Sequence, residues 1–328
     1  MNLPYSIRLL CLCCASFFLI HMALALLARL GAGTAVRLAE HMKPQSAARL
    51  LFVLRIFPLA LTLLAVLAFC IPSYLWLEPE ATGEKVGLLC VLMAVLGLAL
   101  WVPALRGVVC AVRGTNRYLT DCERHGRRIT VPGEESPALL LTDRTPVLAV
   151  AGIFHPRLLI SRRVLRELSH EQRDAALRHE HAHRTSGDNL KRLLILLAPD
   201  AIPFVATFGG LERAWSKFTE WAADDEATAG DPERALTLAS ALVRVAKMKT
   251  GSQPRANVLS CSLVGGSEEL SQRVDRLLRP QPKPGKPVKE VVRLLGSASA
   301  LIATAVGVIT LWPGSLSLVH QALERLVH

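Results

Sequence analysis

His179-Glu180-His181-Ala182-His183 decides how this chain is read. The pentad has the form H-E-x-x-H. On a helix the i, i+4 spacing turns both outer histidines to one face, where they can grip a single metal ion. Glu180, next to the first of them, is then placed as a general base toward a water at that ion. His181 falls on the opposite side and reads as a surface or packing residue. A helix is indicated by the residues upstream. Ser169-His170-Glu171-Gln172 has the form of a capping box, the following residues contain neither Gly nor Pro, and Gly187 stands where a left-handed cap would end the helix.

A third ligand is expected downstream. After the break at Pro199 and Pro203, residues 211–228 again read as helix and carry Glu220-Trp-Ala-Ala-Asp224. Glu220 and Asp224 lie one turn apart on one face. Glu220 is assigned as the third zinc ligand, and Asp224 as the carboxylate that accepts the other ring N–H of His179. A fourth position is left open for water, as a catalytic site requires. His125, His155 and His170 have no partner at ligand spacing.

Outside this region the chain is unusually apolar. Hydrophobic residues make up 51% of 328, and the mean hydropathy is +0.35. The excess is concentrated in runs 8–28, 56–77, 86–105 and 294–312, each close to the length that crosses a bilayer. A weaker run, 193–208, is broken by Pro199, Asp200 and Pro203 and reads as buried or membrane-skimming. The resulting fold class is an α+β membrane protein. It has four transmembrane helices, a mainly helical zincin-like domain and a small β-sheet. The first three spans occupy residues 1–112, the metal domain 113–291, and the fourth span with a short tail 292–328.

Charge orients the spans. Arg29, Arg37, Lys43 and Arg49 follow the first run, and Glu78, Glu80 and Glu84 follow the second. Arg106, Arg113 and Arg117 follow the third, while Lys283, Lys286, Lys289 and Arg293 precede the fourth. The positive-inside rule then places the metal domain in the cytoplasm and both termini outside a bacterial-type inner membrane. The first run is read as an uncleaved span, because its basic residues follow rather than precede it. These flanks, facing anionic headgroups, account for the net charge of +11. With 5% aromatic residues and no nucleic-acid motif, direct nucleic-acid binding is not expected. Most of the eight cysteines lie in or beside the spans, and they form neither a zinc ribbon nor a disulfide framework.

Within 113–291, short apolar runs at 128–131, 138–141, 147–151 and 157–161 predict strands. Helices are expected at 162–168, at the pentad, around Glu220, at 232–249 and at 267–278. A stiff basic linker rich in proline, 279–289, leads toward the last run.

Taken together, Ala151-Gly-Ile-Phe-His-Pro-Arg-Leu-Leu-Ile-Ser161, Leu177 to Leu190 (LRHEHAHRTSGDNL) and Glu220-Trp-Ala-Ala-Asp-Asp-Glu226 resemble the BlaR/MecR-type membrane metallopeptidases. More distantly they are similar to the HtpX and CAAX-protease metallopeptidases. The resemblance implies that His179, His183 and Glu220 bind zinc, that Glu180 is the catalytic base, and that Asp224 supports a ligand. Asp188, matching the family's Asp after the pentad, takes a structural or ligand-supporting role. The chain departs from the family's usual small or apolar residues at Arg178 and His181. It also ends soon after its fourth run, without the family's penicillin-binding sensor domain. The implied activity is regulatory cleavage of a polypeptide, either a transcriptional repressor or the chain itself. The alternatives are a membrane quality-control protease and a transducer that does not cut. The run 147–151 is expected to bind substrate by strand addition if it edges the site. Tyr118 is the one candidate to stabilise an oxyanion.

Overall fold

The computed structural model describes residues 4–77, 86–131, 137–142, 147–202, 204–248, 260–262, 267–279 and 321. Three helices in it are long and apolar enough to cross a membrane. The first is α1, Tyr5–Glu40. The second is one continuous rod of α2 (Pro44–Ala65), a π-helical turn (Val66–Cys70) and α3 (Ile71–Leu77). The third is α4, Leu88–His125. Each is longer than its apolar run: α1 has 36 residues, about 54 Å at 1.5 Å per residue. The rods therefore extend well beyond the ~30 Å of a hydrocarbon core. The run 294–312 and the proline-rich stretch 280–289 lie outside the described residues.

Helices α1 and α4 approach closely at Gly97. A Cβ there would collide with the Cys14 carbonyl, so only glycine permits the contact. Leu12, Phe17, Phe18, Leu59, Cys90 and Leu100 fill the space between the rods.

Beyond α4 the chain builds a small mixed sheet. Strands β1 (Arg127–Ile129), β2 (Ala138–Leu141), β3 (Leu148–Ala151), β4 (Arg157–Ser161) and β5 (Ser260–Ser262) lie in the order β1-β2-β4-β3-β5. Strands β2 and β4 run parallel, and the other pairs antiparallel. The remaining helices are α5 (Arg162–Glu167), α6 (His170–Ser186), α7 (Asp188–Leu197), α8 (Gly209–Thr228), α9 (Pro232–Met248) and α10 (Ser267–Leu278).

One sheet face, with Leu148, Val150, Leu158 and Ile160, packs with Ala175 and Ala176 of α6 and Leu238 and Leu242 of α9. Both of these leucines are fully buried, and each such burial contributes about 1.5–3 kcal/mol. This layer holds α6, and with it the pentad, against β3.

Two expectations need correction. Strand β3 is not an edge, because β4 and β5 pair with its two sides. Strand β5 had no alternating pattern to announce it, and it occupies the place where an added substrate strand would lie. Tyr118 is the second correction. It packs with Leu139, Ala151 and Leu159 on the other sheet face, away from α6 and the pentad.

Candidate metal centre

Helix α6 is set by its ends. Ser169 Oγ accepts from the Gln172 backbone N–H, and Gln172 Oε1 accepts from the Ser169 N–H at 3.1 Å. Gly187, at φ 65°, closes the helix in the left-handed conformation that glycine adopts without penalty. The reversal starts α7 at once, bringing Asp188 and Asn189 back beside the pentad.

His179, His183 and Glu220 meet. Each offers a ligand atom, and these atoms lie within 4.8 Å of one another, a group that could hold a metal ion. The two Nε2 atoms are 3.1 Å apart. Glu220 places one oxygen 3.6 Å from His179 Nε2 and the other 3.6 Å from His183 Nε2. Ligand atoms of a tetrahedral ion with bonds of about 2.0–2.1 Å stand about 3.4 Å apart, close to the Nε2–Nε2 spacing and to the spacing of each Nε2 from one Glu220 oxygen.

Both imidazoles are turned by carboxylates. His179 Nδ1 lies 3.0 Å from Asp224 Oδ1. His183 Nδ1 lies 2.8 Å from Asp188 Oδ2. Each carboxylate favours an N–H on Nδ1 and turns the Nε2 lone pair toward the other imidazole, and Arg273 Nη2 also comes within 3.4 Å of His179 Nε2. Asp188 is itself held by Lys191 Nζ at 2.9 Å.

Glu180 is almost wholly buried. Its Oε2 accepts the Val150 N–H of β3 at 2.9 Å. Its Oε1 has no hydrogen-bond partner among the described residues. A buried carboxylate oxygen without a donor is costly, and this one fits a site whose missing partner is water at a metal. Burial pushes the Glu180 carboxyl up to about 7, against the pull of His179 and His183.

Arg273 completes the centre, although the pentad gives no hint of it. This arginine of α10 is 2% exposed. Its Nε and Nη2 donate to the two oxygens of Asp224, at 2.9 and 2.6 Å, and its Nη1 donates to Glu220 at 3.0 Å. Burial alone would raise both carboxyls. For Glu220 the charges of His183 and Arg273 outweigh it, holding the group well below the usual range. For Asp224 the Arg273 charge does the same, holding it at about 2. The buried Asp224 and the partly buried Glu220 thus share one guanidinium, which offsets the cost of holding their charges away from water.

Asn189 was also missed. Its Nδ2 donates to the carbonyls of Val150 and Gly152, at 3.1 and 2.8 Å. Glu180 and Asn189 therefore hold β3 from both helices of the α6–α7 turn. Arg178 donates to the Ala227 carbonyl near the end of α8. His181 is exposed. A cleft of about 230 Å³ between α8 and α10 reaches Glu220 and Arg273, with Lys217, Trp221 and Gln272 on its walls.

Compared with known proteins, the chain matches no family model and no curated protein.

Proposed function

We propose that this chain is an integral-membrane, zinc-dependent endopeptidase of the BlaR/MecR type, cutting a regulatory polypeptide or itself. The observation that carries the reading is Glu180. A buried carboxylate with one unpartnered oxygen stands beside three convergent ligand atoms. A structural site would use four protein ligands and no such base.

Zinc held by His179, His183 and Glu220 would supply a Lewis acid that makes water reactive near neutral pH and polarises the scissile carbonyl. The chain's own groups do the rest. Asp224 and Asp188 hold both imidazoles with Nε2 forward. Glu180 takes the proton of the attacking water and returns it to the leaving nitrogen as the peptide bond breaks. Its Oε2, fixed by the Val150 N–H, keeps Oε1 free for that transfer. The domain layout read from charge sets this chemistry on the cytoplasmic side of the membrane.

The test compares membranes carrying the intact chain with membranes carrying Glu180→Gln. The variant retains its metal and leaves intact the polypeptides that the intact chain cuts. Equal cleavage by both would remove Glu180 from the reaction. Retained metal with no cleavage by either would favour a transducer.

A further inference from the structure

We infer that the turn between α7 and α8, together with α7 itself, enters the bilayer as a re-entrant wedge in the leaflet on the metal site's side. This rests on the reading of the three long helices as membrane spans.

The first observation is depth. Ala198, at the end of α7, packs into the cluster formed by Leu12, Phe17, Phe18 and Leu59 of the spans. His21 Nε2 lies 3.3 Å from the Pro199 carbonyl oxygen. His21 is seven residues inside the inner end of run 8–28, about 10 Å along the helix. Arg55, which reaches the same carbonyl, stands one residue before run 56–77 and follows the apolar stretch Leu50-Leu-Phe-Val-Leu54, so this carbonyl lies between headgroup level and the depth of His21.

The second observation is the backbone. Non-helical chain survives at membrane depth only when its polar groups find partners in the protein. Several of them do here. Arg55 donates to the Ala198 carbonyl at 2.7 Å and to the Pro199 carbonyl at 3.2 Å, which caps α7. Its Nε pairs with Glu212 at the start of α8, at 2.8 Å. Asp200 accepts from the Thr207 N–H and hydroxyl, and Thr207 Oγ1 accepts from the Ala201 N–H. The Val205 N–H returns to the Ile202 carbonyl. A charged arginine buried among spans is expensive without such a task.

The third observation is what faces outward. Among the described residues from Asp188 to Phe208, every exposed one is apolar: Leu190, Leu194, Leu196, Ile202, Phe204, Val205 and Ala206. Phe204 is 73% exposed. It also takes a φ of 63°, a left-handed conformation unfavourable for a bulky side chain. A surface bathed in water would not keep this set. A bilayer rewards it, and continuity with the spans identifies the bilayer as its occupant. Lys191 and Arg192, near the start of α7, then lie at headgroup level.

The consequence concerns substrate. Asp188, which supports His183, opens α7, and the helix is ten residues long, about 15 Å. The wedge therefore holds the metal centre within about that distance of lipid. The substrates it favours are polypeptide segments at the membrane surface.

The experiment places one additional tryptophan in the full chain, as Phe204→Trp or, for reference, Leu98→Trp on the exposed face of α4. Both are reconstituted in vesicles of lipids brominated at shallow or deep acyl positions. Emission is read as the difference from the unsubstituted chain. Phe204→Trp should be quenched most by shallow bromines and little by aqueous iodide, while Leu98→Trp should respond to deep bromines. Quenching of Phe204→Trp by iodide, with Leu98→Trp still quenched by lipid, would overturn the wedge and leave the spans intact. Insensitivity to both quenchers would also overturn it, assigning the face to a protein contact. Loss of lipid quenching at Leu98→Trp would overturn the span reading itself.

Discussion

The guanidinium of Arg273 meets Asp224 edge to edge, donating to both carboxylate oxygens at 2.9 and 2.6 Å. Asp224 in turn stands 3.0 Å behind the Nδ1 of His179. One contact thus ties α10 to the His179 imidazole on α6 through α8. Removing its cation leaves the buried Asp224 without its ion-pair partner, so Arg273→Ala should lose about 3–5 kcal/mol of stability. Arg273→Lys restores charge without the two-pronged geometry and should recover only part. Thermal unfolding of the purified chain in detergent measures both. Unchanged midpoints would show that the contact contributes nothing.

The ligand set predicts a graded response in metal affinity. His179→Ala, His183→Ala and Glu220→Ala each remove a bond to the ion and should abolish stoichiometric binding. Asp188→Asn and Asp224→Asn leave the ligands present but loosen their orientation, and should weaken affinity by about 10–100-fold. Competition with a calibrated chelator separates the two classes. Wild-type affinity in Glu220→Ala would mean that α8 supplies no ligand.

Acid should destabilise the metal-free chain through the same cluster. Asp224 is held at about 2 and Glu220 well below its usual value. Depressed carboxyls contribute stability that is fully present above about pH 5 and is lost progressively as pH falls toward 2. For Asp224 the contribution is about 2 kcal/mol. With metal removed by chelation, the unfolding midpoint should drop across this window, and the drop should be shallower in Asp224→Asn. A midpoint flat from pH 5 to pH 2 would contradict the assignment.

The π-helical turn Val66–Cys70 and the buried Arg55 lie on the second rod, whose lower part packs on α8 through Leu51, Trp215 and Phe218. Arg55 also reaches Glu212, two turns from Glu220 on the same helix. Arg55→Ala should therefore weaken metal binding although it touches no ligand, and Arg55→Lys should restore it in part. Chelator competition checks this. Equal affinity in all three chains would show that α8 is positioned without the membrane rod.

Much of this architecture was legible because its signals are local. The capping box at Ser169, the glycine at 187 and the i, i+4 histidines are short-range rules, and α6 obeys them. The three apolar runs marked their helices, though not the polar extensions, which hydropathy does not see. Strand β5 was illegible. Its three residues carry no alternation and exist as a strand only through pairing with β3. Arg273 left one faint mark: it stands on the apolar stripe of α10, between Leu270, Val274 and Leu277. A charge on that face signals a buried partner, yet nothing in the spacing reveals that the partner is Asp224. The caps of the α7–α8 turn were hidden similarly, since Arg55 and Ala198 are far apart in sequence.

The most direct test of the central claim is X-ray absorption at the zinc edge of the purified, zinc-loaded chain and of Glu220→Ala. The account predicts two imidazole nitrogens and carboxylate or water oxygens, all at about 2.0–2.2 Å, with loss of stoichiometric zinc in the variant. Sulfur ligation, or an identical spectrum at full occupancy in Glu220→Ala, would contradict it.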